Sequence, residues 1–341
     1  MTKPPDNSQN QDSMADLRAR AEAALERGDL QAAQEFATRL ATHATGPWEN
    51  LVLGRIALAT GDHRRARTVL EAARKRLPEE GSILVHLAEV YAVQKQWADA
   101  VESITTAISK RDSIAELHER RATYLTNAGD EVESMLALER ALSLEPNRAS
   151  AWALLGERHL ERDDIAVAKK ALDRALACDP ANSTAIWNLA LLAEKTGDLV
   201  EAESILTRLI DSGLVDSRLV LQRRGQIRLS LGDLAGGWAD YGVRLKHAYY
   251  DSWQHALEVP YWSGEDLTGK HLAVWADQGI GEQILTASLA LQTSTRAGSL
   301  TFACDPRLVS LLSRSFPDIA VVSLEKLRER GRAVGPVDLQ A

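Results

Sequence analysis

A Gly-Asp pair recurs through most of this chain at an almost constant interval. It appears as Gly28-Asp29, Gly61-Asp62, Gly129-Asp130, Gly197-Asp198 and Gly232-Asp233, with Gln96 and Asp164 holding the aspartate's place where the glycine is missing. The successive steps are 33, 34, 34, 34, 34 and 35 residues. A fixed period of this size predicts stacked helical units that each bury a face against their neighbours. Other residues keep the same phase. A small residue lies eight before the turn aspartate (Gly54, Ala88, Ala122, Gly156, Ala190), and Gly225 holds the equivalent place in the last unit. Alanine lies four after it (Ala33, Ala66, Ala100, Ala168, Ala202), with Ser134 and Gly237 as exceptions. Small side chains at fixed phase let two helices approach closely, so each unit reads as helix A, a tight turn and helix B. The turn aspartate can cap helix B. Pro78, Pro146 and Pro180 end three of the B helices, because proline disfavours helix in the residue before it.

These small, apolar and proline positions resemble the tetratricopeptide repeat family, over residues 14–245 and about seven units. The resemblance implies a mainly α solenoid whose concave wall is lined by the A helices. Inward positions carried over by phase are Glu89, Glu116, Glu119, Glu157, Glu161 and Glu194, with Trp48 and Trp187 as aromatic anchors. The expectation is a mildly acidic groove that holds a protein or an extended basic or mixed peptide; the alternative is a solvated helix face. The asparagine ladder of the related O-GlcNAc transferases is absent, since Asn188 alone keeps its phase while Arg120 and Leu154 occupy it in neighbouring units.

The periodicity changes after residue 245. Residues 246–269 read as a linker, and 270–341 as strand, helix, strand, helix, strand, with strands at 271–275, 299–303 and 319–324. Several segments resemble the glycosyltransferase-like domain that follows such repeats in many bacterial proteins: Gly237-Trp238 with Tyr241 and Arg244, Pro260-x-Trp262-x-Gly264-Glu265, the loop Gln278-Gly279-Ile280-Gly281, Cys304-Asp305-Pro306-Arg307, and Arg314-Ser315-Phe316-Pro317. The relatives are GT-B enzymes such as heptosyltransferases. The resemblance therefore implies a partial, Rossmann-like α/β segment equal to the N-terminal half of that fold. It also implies a glycine loop (Gln278, Gly279, Ile280, Gly281) against a helix start that favours anions, with a nucleotide sugar as the added ligand. By the same resemblance Glu282 is the candidate catalytic base, though relatives carry aspartate there and glutamate at Asp277; a carboxylate that merely caps the helix dipole is the alternative. The half that binds the donor sugar is not expected within residues 270–341, so catalysis by this chain alone is not expected. The leading reading is a peptide-binding scaffold; the alternative is a transferase that glycosylates a protein held by the solenoid.

Composition narrows the partners. Lys and Arg number 40 against 48 Asp and Glu, a net charge of −8 that disfavours non-specific binding to nucleic acid. The two cysteines, Cys178 and Cys304, form no metal-ligand spacing, and no cofactor or metal is expected. Residues 1–13 are polar and predicted to be disordered, the absence of a long apolar run predicts no membrane span, and two cysteines without a disulfide framework fit the reducing cytoplasm.

Overall fold

The computed structural model describes residues 13–43, 46–243, 262, 264–275, 279–333 and 339–340. The chain forms two compact units, residues 1–216 and 217–341. In the first, twelve helices form six consecutive antiparallel pairs: α1 (Met14–Glu26), α2 (Leu30–His43), α3 (Pro47–Ala59), α4 (His63–Arg76), α5 (Gly81–Val93), α6 (Trp97–Lys110), α7 (Ala115–Ala128), α8 (Glu131–Leu144), α9 (Ala149–Glu161), α10 (Ile165–Cys178), α11 (Ser183–Lys195) and α12 (Leu199–Asp211). Ser13, placed in the disordered segment by the sequence, instead caps α1: its Oγ accepts from the Asp16 amide at 3.1 Å while Asp16 accepts from the Ser13 amide. Residues 1–12 lie outside the described residues.

The turns show why the period holds. Gly28, Gly61, Gly129, Gly197 and Gly232 all take positive φ, which ends one helix and redirects the chain without a Cβ penalty. The aspartates after them accept amide hydrogen bonds near 3 Å from the first turn of the next helix, as Asp62 does from Arg65 and Asp198 from Glu201. Where glycine is missing, Lys95 and Asp163 adopt the same left-handed conformation, with φ of 58° and 64°. The demand for that conformation comes from the helix crossing, and the residue complies. Ala33, Ala66, Ala100, Ala168 and Ala202 are fully buried between paired helices. At Gly54 an added Cβ would come within 2.4 Å of Leu70 Cγ, so the glycine lets α3 and α4 close.

The second unit begins with a seventh pair, α13 (Ser217–Ser230) and α14 (Leu234–Tyr241). Asp240, on α14, is buried and grips two arginines of α13: Arg224 at 2.7 and 2.9 Å and Arg228 at 2.9 Å. Most of the expected linker, residues 246–261 and 263, lies outside the described residues, as do Arg244, Asp277 and Gln278. A parallel sheet follows, made of β1 (His271–Trp275), β2 (Ser299–Cys304), β3 (Ala320–Ser323) and the two-residue β4 (Leu339–Gln340), in the order β3-β2-β1-β4. Helices α15 (Ile280–Ser294) and α16 (Pro306–Ser315) pack Ala287, Ala290, Leu308 and Leu312 with Leu272, Leu300 and Phe302. Helix α17 (Leu324–Ala333) packs Leu327 with Ala273, Ala303 and Val322, the alternate residues of the same strands, so helices cover both faces. The expected third strand included Leu324; the strand stops at Ser323, whose Oγ accepts from the Lys326 amide at 3.2 Å and starts α17.

Candidate functional site: the wall of A helices

In the first unit three A helices pack against their successors, α1 on α3, α3 on α5 and α9 on α11, while the B helices make no comparable contacts with one another among the described residues. Closer approach on one side marks the A helices as the inner side. Trp48 stands exposed on α3 and Trp187 is half-buried on α11. Asn188 is 2% exposed, with its Nδ2 unpartnered, so it lies beneath the wall rather than on it. The reason is the packing of α9 against α11, the most extensive A-to-A contact of the array.

The acidic residues lie on the A helices but do not form a bare negative strip. Glu116 pairs with Arg120 at 2.9 Å, and Arg120 also reaches Glu89 on the preceding A helix at 3.7 Å. Glu119 holds Arg148 and accepts from Ser150 Oγ at 2.8 Å. Arg158 binds both Glu157 and Glu161 at 2.8 Å. Glu194 is engaged as well. The wall thus alternates charge, because three arginines sit among the glutamates. His86, 3.5 Å away, and then Arg120 hold the Glu89 carboxyl below the ordinary glutamate value; partial burial, with Glu157 and Glu131 adding to it, pushes Glu161 above it.

Two cavities open between these pairs. One of about 290 Å³ spans α1, α3 and α5, with Leu25 and Leu58 beside Glu26, Arg55, His86 and Glu89. Glu26 and Arg55 make no hydrogen bond or ion pair with described residues. The other, about 150 Å³, lies between α7, α8 and α9 and is lined by Thr123, Thr126, Asn127, Ser134, Glu157 and Arg158, with leucines beside them. Its polar wall interrupts the repeat twice. Ser134 stands in the alanine row of the B helices and is fully buried. Arg158 stands in a row that holds the half-buried Ala23 and the buried Ile56, Val90, Tyr124, Leu192 and Ile227, and is itself only 8% exposed. The sequence reading noted Ser134 as an exception but passed over Arg158, and over Arg120 and Arg148 as partners of its glutamates.

In the second unit, α15 starts at Ile280 with Gly279 as its N-cap, so Ile280, Gly281 and Glu282 form the first helical turn rather than a loop. Glu282 is exposed and folds back over Gly279: a Cβ built there would lie 2.8 Å from Glu282 Oε2. This geometry fits a carboxylate at a helix N-terminus. The adjacent Gln283 is buried, and its Oε1 accepts from the Asp305 amide at 2.8 Å, tying α15 to the end of β2.

Comparison with known proteins identifies the repeats. Over 290 residues the chain is 27% identical to Protein FlbA of Caulobacter vibrioides, covering 84% of this chain and 48% of FlbA. The chain thus spans about half the length of that relative. In three dimensions it resembles a tetratricopeptide repeat protein from Parabacteroides merdae (TM-score 0.58, 14% identity, 70% of this chain and 94% of that one). It also resembles a chain of the APC/C hetero-tetramer Cut9-Hcn1 (TM-score 0.58, 14% identity, 72% of this chain and 49% of that one). At such identities the likeness is one of fold. The tetratricopeptide repeat family itself matches residues 51–113 and 153–213. Tetratricopeptide repeats are thus matched over those residues, and helix pairs of the same build lie on either side of them and between them.

Proposed function

We propose that this chain is a protein-interaction scaffold whose inner wall of A helices binds an extended segment of a partner protein. The observation that carries this reading is the pair of cavities on that wall, each combining apolar side chains with polar groups. An extended segment places side chains into such cavities while its backbone runs along the wall, and a repeated array offers this surface over a long distance. Trp48 adds an exposed aromatic anchor, a type of residue that carries much of the energy of interfaces. An array of short synthetic peptides of random sequence, probed with the purified chain, tests the proposal. Binding that is lost when Thr123→Trp fills the wall, and kept when the outward Val132→Ala is made, supports it. Binding indifferent to both changes, or absent, sinks it.

One observation favours a second reading for residues 270–341. A parallel sheet in the order β3-β2-β1-β4, with helices on both faces, has the strand order of the first half of a dinucleotide-binding fold. Its order reverses between β1 and β4, and Gly279 opens the helix after β1 there. On this reading the segment is a Rossmann-like, glycosyltransferase-type half-domain, with Glu282 near a sugar-nucleotide ligand and the protein held by the repeats as acceptor. Calorimetry with UDP-, ADP- and dTDP-sugars tests it: saturable binding weakened by Glu282→Ala supports it, and no heat with any of them rejects it for this chain.

A further inference from the structure

We infer that the outer face of α15 is a self-association surface, on which a second copy of this chain packs its own α15 in antiparallel orientation. This pairing stands apart from both readings of function given above.

One side of α15 covers the sheet through Gln283, Ala287 and Ala290, all buried. The other side faces water, where a surface helix normally carries charge. Its neighbours keep to that pattern: α16 exposes Arg307 and Arg314, and α17 exposes Glu325, Lys326 and Glu329. On α15, residues 283–295 include no charged side chain at all. Leu285 is instead 71% exposed, Leu289 57% and Ile284 47%. Leu285 and Leu289 lie one turn apart on the same side, with Ile284 next to them. Gly281 and Ser288, also exposed, are small enough to let another helix approach. Single exposed leucines are ordinary, but three large apolar side chains on one helix face with no charge among them mark a contact surface.

The charges at its two ends select the occupant. Glu282 and Arg296 bracket the uncharged stretch; both are exposed, and neither side chain makes a hydrogen bond or ion pair among the described residues. Arg296 sits in the turn that closes α15, its amide donating to the Thr293 carbonyl at 3.0 Å. Positions 282, 285, 289, 292 and 296 follow the alternating spacing of three and four that forms one helix seam. Acid, leucine, leucine, glutamine and arginine therefore run along one line. A stripe ending in one sign of charge would suit a partner of the other sign, whereas this one is complementary to itself turned end for end. In the antiparallel pair, Leu285 and Leu289 of one copy meet Leu289 and Leu285 of the other. Each Glu282 then lies within about a turn of the other copy's Arg296, and the helix dipoles oppose. A parallel pair would set like charges together at both ends. A two-fold axis gives both copies the same contacts and closes the assembly at two. The helix is about 22 Å long, so the contact falls at the small end of specific interfaces, and a Kd of roughly 1–100 μM is expected. On the scaffold reading such a dimer carries two arrays of repeats, and a partner with two recognised segments gains effective concentration.

Sedimentation velocity of the full chain over a concentration series tests the pairing, with Leu285→Glu, Arg296→Glu and Glu282→Arg beside the wild type. Wild-type protein should show a monomer–dimer equilibrium, and Leu285→Glu should weaken it at least tenfold. Arg296→Glu puts acid at both ends of the stripe and Glu282→Arg puts base at both. Each alone should associate roughly threefold to tenfold more weakly, as loss of two solvent-exposed ion pairs does. Mixed in equal amounts, the two should recover wild-type association, which also shows that neither has misfolded. Leu285 is exposed, so Leu285→Glu should keep the circular dichroism spectrum of the wild type. The second reading places Glu282 near a ligand; mass is the readout here and no nucleotide is present, so the two roles are tested apart. A wild-type chain that stays monomeric well above 100 μM, the top of the expected range of roughly 1–100 μM, overturns the pairing. So does association unchanged by Leu285→Glu, growth beyond the dimer, or a mixture no better than its separate variants. None of these outcomes touches binding to the peptide array, so this proposal and the scaffold reading fail separately.

Discussion

Replacing Arg158 with leucine tests whether this residue serves the fold or the wall. Its row in the repeat is apolar elsewhere, so leucine restores the residue type that Ile56, Val90, Leu192 and Ile227 supply. Burying a leucine is worth about 1.5–3 kcal/mol, but the arginine's methylenes already bury part of that surface, so a gain of roughly 1–1.5 kcal/mol is the usable part. Against this stands the loss of two ion pairs, to Glu157 and Glu161, whose side chains are 33% and 54% exposed. Pairs with such solvent access contribute about 0.2–1 kcal/mol each. The balance runs from about 1 kcal/mol against Arg158→Leu to about 1 kcal/mol in its favour, or an unfolding midpoint moved by no more than ~4 °C either way. Thermal and urea unfolding followed by far-ultraviolet circular dichroism would measure it. A destabilisation of more than about 2 kcal/mol would refute the reasoning, because that is the behaviour of a buried charge pair on which packing depends. Arg158 would then be a structural residue, and the coincidence of Ser134 and Arg158 at one cavity would lose its meaning.

Lys95→Gly should stabilise the array by roughly 0.5–1 kcal/mol, since it relieves a left-handed residue at φ 58° and gives back part of that in chain entropy; equal or lower stability in urea titration would count against the turn argument. Gly225→Ala should cost roughly 1–3 kcal/mol, because its Cβ would lie 2.6 Å from the Tyr241 amide nitrogen and 2.9 Å from the Gly237 carbonyl oxygen, backbone atoms that cannot rotate away. Gly54→Ala, whose Cβ meets only the movable Leu70 side chain, should cost less, and the reverse order in calorimetry would contradict this. Glu89, held below its ordinary value of 4.5 by His86, stabilises the folded chain above that pH, and the contribution fades as pH falls through the lowered value. Glu89→Gln should lack that part of the acid dependence in parallel urea titrations, and identical slopes would remove the interaction from the account.

The repeat was legible because each constraint recurs in sequence: the glycine turn, the aspartate cap and the buried alanines all return at one period. The conformations of Lys95 and Asp163 were not, since residue type gives no sign of a left-handed backbone that the neighbouring helices impose. The same limit applied to charge. Glu89 and Arg120, or Glu119 and Arg148, lie about one repeat apart in the chain and meet only when A helices stack, so a list of inward glutamates read as acidic became a wall of ion pairs. The signal that could have shown this is opposite charge at one-repeat spacing. Short apolar runs revealed β1, β2 and β3, but not where β3 gives way to α17, because that boundary rests on a single cap at Ser323. The first turn of α15 was misplaced for a similar reason: glycines at 279 and 281 read as loop, yet only Gly279 lies outside the helix.

The central claim, that the inner wall of A helices is the recognition surface, is tested most directly by hydrogen exchange of the full chain with and without the tightest-binding array peptide. The account predicts slowed exchange concentrated in α3, α5, α7 and α9, with α4, α6, α8 and the sheet of the second unit unchanged. Protection confined to the B helices or to β1–β3 and their helices would contradict it.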